Sequence, residues 1–188
     1  MIIYREIPSC DADLYDNIEM KVLVTEIFEV IVRDLEGISF EKRSVIPYWK
    51  DFTIWDKYAN WKRQFNISNW YFVVAFDDSV PVGGAVLCHH TPKLDMLDGR
   101  SDLGVLWDIR VDSKYKRTGI GQHLFDLIRE KAKALHLRQL KIECQNVNIP
   151  AVNFYFKQGA HLGAVNRYAY FREKSVADEV QLLLYLDL

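Results

Sequence analysis

The sequence predicts a mixed α/β fold, a β-sheet with helices on its faces, in one domain spanning residues 1–188. Three observations carry that expectation. A β-branched and aromatic run at 70–76 is followed by a short polar turn and a second apolar run. Residues 119–135 have helical periodicity. From 103 onward the pattern alternates strand, loop, helix, strand, helix, strand, strand. A chain of 188 residues is long enough for one hydrophobic core and short for two. Its apolar share of 49%, against 27% charged residues, excludes wholesale disorder.

In chain order, residues 24–33 (VTEIFEVIVR) alternate in part and are rich in Val and Ile, as strands are. Residues 40–65 are aromatic and mixed, with Tyr48, Trp49, Trp55, Tyr58 and Trp61. Helical spacing holds from 54 to 65, and Pro47 rules out one long helix across the stretch. Trp70 to Phe76 (WYFVVAF), the polar Asp77-Asp78-Ser79 and the run 82–89 predict a hairpin. Residues 91–102, with Pro92, Gly99 and several charges, read as a loop, and 103–111 (LGVLWDIRV) as a strand.

Over 119–135, Ile120, Leu124, Leu127, Ile128 and Leu135 share a face opposite Arg129, Glu130 and Lys133, which predicts an amphipathic helix. Residues 140–144 (LKIEC) form a strand. Asn148 as N-cap, Pro150 in the first turn and Gly159 past the end frame a helix over 149–158. Residues 161–171 and 179–187 are strand-like, and the nearly continuous apolar run from Val180 to Leu186 suits a covered strand.

Several function classes are excluded at this level. A net charge of −2 gives no electrostatic reason to expect nucleic-acid binding. The three cysteines, Cys10, Cys88 and Cys144, are widely spaced and form no CxxC pair, so neither a metal site nor a disulfide framework is expected. Cys88 and Cys144 lie in apolar runs and read as buried thiols. The N-terminus lacks a signal-peptide pattern and no apolar run approaches the ~20 residues of a membrane span, so a cytoplasmic protein is expected.

The chemistry concentrates where the strand 103–111 passes into the helix after Gly119. A helix N-terminus offers free amides and partial positive charge to an anion. Gly119 and Gly121 let backbone approach a ligand, and Lys114, Lys116 and Arg117 add charge at the same mouth. Neither the dinucleotide fingerprint nor the Walker A pattern is present, since Gln122 and His123 follow Gly121. Alone, such a segment reads more readily as a glycine-containing turn into a surface helix.

Two motifs extend the reading. Lys116-x-x-Gly119-Ile120-Gly121, preceded by Asp108-Ile109-Arg110-Val111-Asp112, resembles the [Q/R]-x-x-G-x-[G/A] signature of the GNAT superfamily, with Lys116 as the departure. Asn148-x-x-Ala151-x-x-Phe154-Tyr155-x-x-x-Gly159-Ala160 resembles that family's N-x-x-A-x-x-[LF]-Y-x-x-x-G-F, with Ala160 in place of the final Phe. From about 103 to the C-terminus the chain looks most like the streptothricin acetyltransferase group.

The resemblance implies the GNAT fold and an acetyl-CoA-dependent N-acetyltransferase. It implies that the amides of Arg117, Thr118, Gly119, Ile120 and Gly121, with Lys116 and Gln122, hold the acetyl-CoA diphosphate. The strand at Ile109, Arg110 and Val111 would pair with the pantetheine arm, with Asn148, Ala151 and Asn153 beside it, and an oxyanion donor is expected near Ile109. Tyr155 would be the general acid for the leaving thiolate. Asp108 would hold or deprotonate the amine, or else pair structurally with Arg110. His89 and His90 are the second candidate base, one expected on each face of their strand. Glu143 is expected to face solvent or a lysine.

Trp107 stands where streptothricin acetyltransferases tend to carry an acidic residue, and the aromatic stretch 48–61 would form part of the acceptor wall. The expected partner is a small-molecule primary amine, with no metal, nucleic acid or membrane, and a homodimer stays open. A non-catalytic CoA-binding module and a protein or peptide N-acetyltransferase are the competing functions.

Overall fold

The computed structural model describes residues 1–54 and 57–188. Along the chain run strand β1 (Ile2–Ile7), a 3-10 segment (Ser9–Asn17), β2 (Lys21–Val32), β3 (Ile38–Asp51), helix α1 (Tyr58–Gln64), β4 (Tyr71–Asp77), β5 (Val80–Cys88) and β6 (Leu103–Val111). Then follow α2 (Ile120–Ala134), β7 (Gln139–Gln145), α3 (Ile149–Lys157), β8 (His161–Asn166) and β9 (Gln181–Asp187). The expected α/β order from 103 onward is present. Differences lie before it: β1 and the 3-10 segment carried no sequence expectation, and β3 runs through Pro47 where only a mixed aromatic stretch was read.

The elements divide into two compact units. The first comprises Met1–Lys21, Asp51–Lys141 and Asp187–Leu188, the second Val22–Lys50 and Ile142–Leu186. In the first, four antiparallel strands lie in the order β1-β4-β5-β6. Every residue of β4 from Tyr71 to Phe76 is buried, so its apolar run is continuous rather than alternating. The hairpin turns through Asp78-Ser79, with Asp78 left-handed at φ 54°, as a two-residue hairpin turn requires.

Two neighbouring glycines of β5 show what covers each face of this sheet. A Cβ on Gly83 would meet Ile120 of α2 at 3.0 Å, and one on Gly84 would meet the Tyr15 ring at 2.4 Å. Helix α2 therefore covers one face and the 3-10 segment the other. On the second side a core forms from Tyr15, Ile18, Tyr58, Trp61, Trp70 and Phe72 with their neighbours. Helix α2 buries Ile120, Leu124, Phe125, Ile128 and Ala132 and carries Lys131 and Lys133 in its last turn, where they complement the helix dipole.

The second unit holds the two-stranded sheet β2–β3, the end of β7, helix α3 and the antiparallel pair β8–β9. Leu182, Leu184 and Leu186 of β9 alternate inward. Asn148 caps α3 as expected, its Oδ1 accepting from the Ala151 amide at 3.4 Å, with Pro150 in the first turn. The strand expected over 161–171 stops at Asn166 and gives way to turns. Trp55 of the expected aromatic helix lies outside the described residues. The helix begins at Tyr58 rather than at 54. Among the described residues no helix is long and apolar enough to cross a membrane.

Candidate active site

The turn after β6 is anchored from beneath and open above. The Asp112 amide donates to the Val82 carbonyl of β5 at 2.9 Å, and the Asp112 carboxylate accepts from the Lys114 amide at 2.9 Å. Tyr115 donates its phenol proton to Asp77 at 3.0 Å, and the Thr118 hydroxyl donates to the Tyr115 carbonyl at 2.6 Å. Lys116, at the position where the signature has Arg or Gln, donates its ammonium to the backbone carbonyl of Lys21. Its charge is spent partly on fixing the turn.

Above these anchors, Lys116, Arg117, Thr118 and Gly119 are exposed. Arg117 and Gly119 are both left-handed, at φ 62° and 92°. Gly119 is the N-cap of α2 and makes no side-chain cap, so the first-turn amides have neither i−4 carbonyls nor a capping oxygen. A Cβ on Gly119 would meet nothing within 4 Å, and one on Gly121 would meet only Val111, at 3.6 Å. The surface over this turn is therefore unobstructed, and the residues present fit a diphosphate. The Gln122 side chain donates along the helix to Asp126 at 3.1 Å.

Backbone parity along β6 sorts the residues expected to meet the pantetheine arm. Since the Asp112 amide points at β5, alternation turns the Arg110 backbone toward β5 and those of Ile109 and Val111 toward the opposite edge. Ile109 and Val111 turn their N–H and C=O groups to the edge away from β5, the side on which β7 is the neighbour of β6 in the sheet order. Arg110 differs: its backbone meets Gly84 of β5, and its side chain is buried.

Asp108 and Arg110 form a buried ion pair. The guanidinium donates to both carboxylate oxygens, and the Tyr15 phenol adds a bond to Oδ1 at 3.2 Å. The Arg110 guanidinium also lies 4.6 Å from the Tyr15 ring centroid. Of the two roles expected for Asp108, this geometry favours the structural one. Tyr15 had no sequence signal, since nothing local marks a tyrosine whose partner lies 93 residues away.

Opposite these residues the register slips: Val86 pairs with Asp108 but Leu87 pairs with Leu106. Trp107 is thus the extra residue of a β-bulge, a feature common next to active sites. Its ring packs 5.2 Å from Trp70, 5.7 Å from Phe65 and 6.4 Å from Trp61. In the aromatic stretch expected to wall the acceptor, Tyr58 and Trp61 are core residues, whereas Tyr48 and Trp49 on β3 are exposed.

The histidine pair departs from expectation. His90 is left-handed, at φ 45°, which breaks the alternation, and the rings meet through their Nδ1 atoms at 2.8 Å instead of taking opposite faces. Burial, then the neighbouring His90, push the His89 pKa below its usual value. Cys88 and Cys144 are buried thiols as expected; burial raises both, Cys144 to about 12.

In the second unit, Tyr155 is buried on α3 with its ring 5.5 Å from that of Phe154. Asn148 is buried at the cap, Ala151 is half-buried and Asn153 is exposed. Glu143 is half-buried, and its carboxylate accepts from the Tyr170 phenol at 2.7 Å. A buried residue the sequence did not flag, Asn146, exchanges hydrogen bonds with Phe28 and Val180.

Known proteins resemble this chain along most of its length. Residues 31–160 match the model of the acetyltransferase (GNAT) family. The streptothricin acetyltransferase of Escherichia coli is 26% identical over 179 residues, 95% of this chain and 92% of that protein. The crystal structure of nourseothricin acetyltransferase superposes with a TM-score of 0.79 at 21% identity, covering 99% of this chain and 98% of that one. A candidate streptothricin acetyltransferase from Bacillus anthracis, crystallised with acetyl coenzyme A, gives 0.76 at 23% identity over 100% of both chains. With the family match covering most of its length, the chain belongs to the GNAT family: it has the GNAT fold, a mixed central sheet flanked by helices, and is an acetyl-CoA-dependent acetyltransferase.

Proposed function

We propose that the enzyme moves the acetyl group of acetyl-CoA onto a primary amine of a small cationic molecule of the streptothricin type. The observation that carries the donor side is the open, uncapped turn at Gly119, whose amides suit a diphosphate. The acceptor side is supported by similarity to the Escherichia coli streptothricin acetyltransferase along nearly the whole chain.

In this reading the amides of Arg117 to Gly121 hold the diphosphate, and the backbone of β6 at Ile109 and Val111 pairs with the pantetheine amides. An amide near Ile109 stabilises the oxyanion. The neutral amine attacks the thioester carbonyl carbon, a C–N bond forms, and the C–S bond breaks. The departing thiolate takes the Tyr155 phenol proton, and the phenolate is reprotonated by the proton the amine releases, passed through water. The Asp108–Arg110 pair is neutral overall, which supports a role in fixing β6 beside the bulge rather than in accepting that proton.

Replacing Tyr155→Phe is expected to lower kcat by roughly 100-fold, the usual weight of general acid catalysis, with acetyl-CoA affinity unchanged. Unaltered turnover would remove Tyr155 from the chemistry. The activity itself is read as free-thiol release with streptothricin, spermidine and kanamycin. Release with none of them, while acetyl-CoA still binds, would refute amine acetylation and favour a binding module.

A further inference from the structure

The turn before α2 takes a shape that its own residues do not favour. Arg117 carries a side chain yet sits in the left-handed region at φ 62°, two positions before Gly119 at φ 92°. In that region a Cβ crowds the following carbonyl, so the conformation persists only where the surroundings fix it. Arg117, Thr118 and Gly119 are exposed, and a Cβ on Gly119 would touch nothing. The fixing contacts therefore lie on either side of these three residues. On the helix side, Ile120 is 2% exposed and seats the first turn of α2 on β5, where a Cβ on Gly83 would stand 3.0 Å from its Cγ2.

On the strand side stands Tyr115. Its amide donates to the Asp112 carbonyl at 2.9 Å, and its carbonyl accepts from the Thr118 hydroxyl at 2.6 Å. Its phenol reaches out of the turn and donates to Oδ2 of Asp77 at 3.0 Å, 38 residues away. One half-buried side chain thus joins the internal bonds of the turn to the sheet. Two other ties do less. The Asp112 amide bonds to Val82 ahead of the turn, and Lys116 reaches the Lys21 carbonyl through a long side chain rich in rotamers. Asp77 is itself well placed, since it ends β4 and pairs with Ile2 of β1 and Val80 of β5. The Asp77 hydrogen bond, then burial and the charges of Asp77, Asp112 and Asp78, raise the Tyr115 pKa above its ordinary value. The phenol therefore stays a donor across the neutral range.

We infer that Asp77 and Tyr115 are positioning residues for acetyl-CoA: the strut between them holds the turn in its diphosphate-binding shape before the ligand arrives. The inference rests on the reading of Arg117 to Gly121 as the diphosphate loop. Both residues act through the backbone of the turn. A preformed nest of amides spares the ligand the work of ordering the chain, so loss of the strut weakens binding of a donor that carries the diphosphate. A ligand without that group does not feel it. Asp77 places negative charge beneath an anion site, together with Asp78 and Asp112. Its value to the turn is thus the position of an acceptor oxygen and not its charge, and an amide in its place can supply the same oxygen.

The test measures the Kd of acetyl-CoA and of S-acetyl-pantetheine, which lacks the diphosphate, by calorimetry on the full chain. Wild type is expected to bind acetyl-CoA the more tightly. Tyr115→Phe, which keeps the ring and its packing, is expected to weaken acetyl-CoA by about 10-fold, the value of one hydrogen bond to a charged group. Its affinity for S-acetyl-pantetheine should stay within about two-fold, a split that a general loss of structure would not produce. Asp77→Ala should follow Tyr115→Phe, whereas Asp77→Asn should stay within about two-fold of wild type for both ligands. An unchanged acetyl-CoA Kd in Tyr115→Phe, or a parallel loss for both ligands, overturns the strut and leaves the diphosphate reading standing. An acetyl-CoA loss in Asp77→Asn as large as in Asp77→Ala overturns it too. Equal binding of the two ligands by wild type overturns the diphosphate reading and the strut with it.

Discussion

Asp108 and Arg110 are two residues apart on a strand, so their side chains leave the same face and the guanidinium can fold back onto the carboxylate. Both are almost fully buried, at 3% and 0% side-chain exposure, and Tyr15 closes the group from the opposite layer. Gly84 is what admits the Tyr15 ring, since a Cβ there would stand 2.4 Å from Cε2. Removing one partner from such a pair strands the other charge without solvent. Asp108→Ala is therefore expected to cost about 3–5 kcal/mol of unfolding free energy in urea titration. A loss under about 1 kcal/mol would mean that the pair is not held as the geometry implies. The sequence located Asp108 and named Arg110 as its alternative partner, because both lie in one strand. Tyr15 was invisible to it, because a partner from a distant 3-10 segment leaves no local pattern.

The elements from β6 to α3 were legible because each carries a period or a cap. α2 shows its apolar stripe, and α3 is bracketed by Asn148 and Gly159. β3 was not legible. Most of it is exposed, Glu41-Lys42-Arg43 interrupt it, and Pro47 is tolerated because the sheet it joins has only two strands. The end of β5 was misread for a related reason: alternation assumes that the strand continues, and at His90 it turns into the left-handed region.

That turn gives the element a pH response. Burial lowers the folded-state pKa of His89 below its unfolded value near 6.5. Below that value the unfolded chain binds the proton more readily, so stability falls as pH drops from about 6.5 through the folded pKa and is flat again beneath it. Thermal melts between about pH 7.5 and 5 should show this decline, and His89→Gln should flatten it. An identical slope in the variant would assign the response to other groups.

At the scale of the whole molecule, a net charge of −2 says little, whereas its local distribution says more. Lys114, Lys116 and Arg117 gather at the helix start that the fold leaves open, in a chain without a basic excess. In the proposed reading, recognition of a polyanionic donor would rest on a few amides and cations rather than on a global field. This motif-scale expectation came from the resemblance of two local motifs, since the glycine spacing alone reads as an ordinary turn into a helix. The Tyr170–Glu143 and Lys50–Glu179 contacts were not legible, because their partners come from separate stretches of sequence.

Ligand linkage makes the donor side measurable on the intact protein. At about 100 times its Kd, acetyl-CoA should stabilise the fold by about 2.7 kcal/mol, a rise in Tm of roughly 5–10 °C for a chain of this size. S-acetyl-pantetheine keeps the thioester and both amides but lacks the diphosphate. If the turn at Gly119 supplies most of the affinity, the same concentration of this fragment should shift Tm by well under half as much, and raising the salt concentration should narrow the gap. Equal shifts from the two ligands would move the principal contacts from the turn to the pantetheine edge of β6.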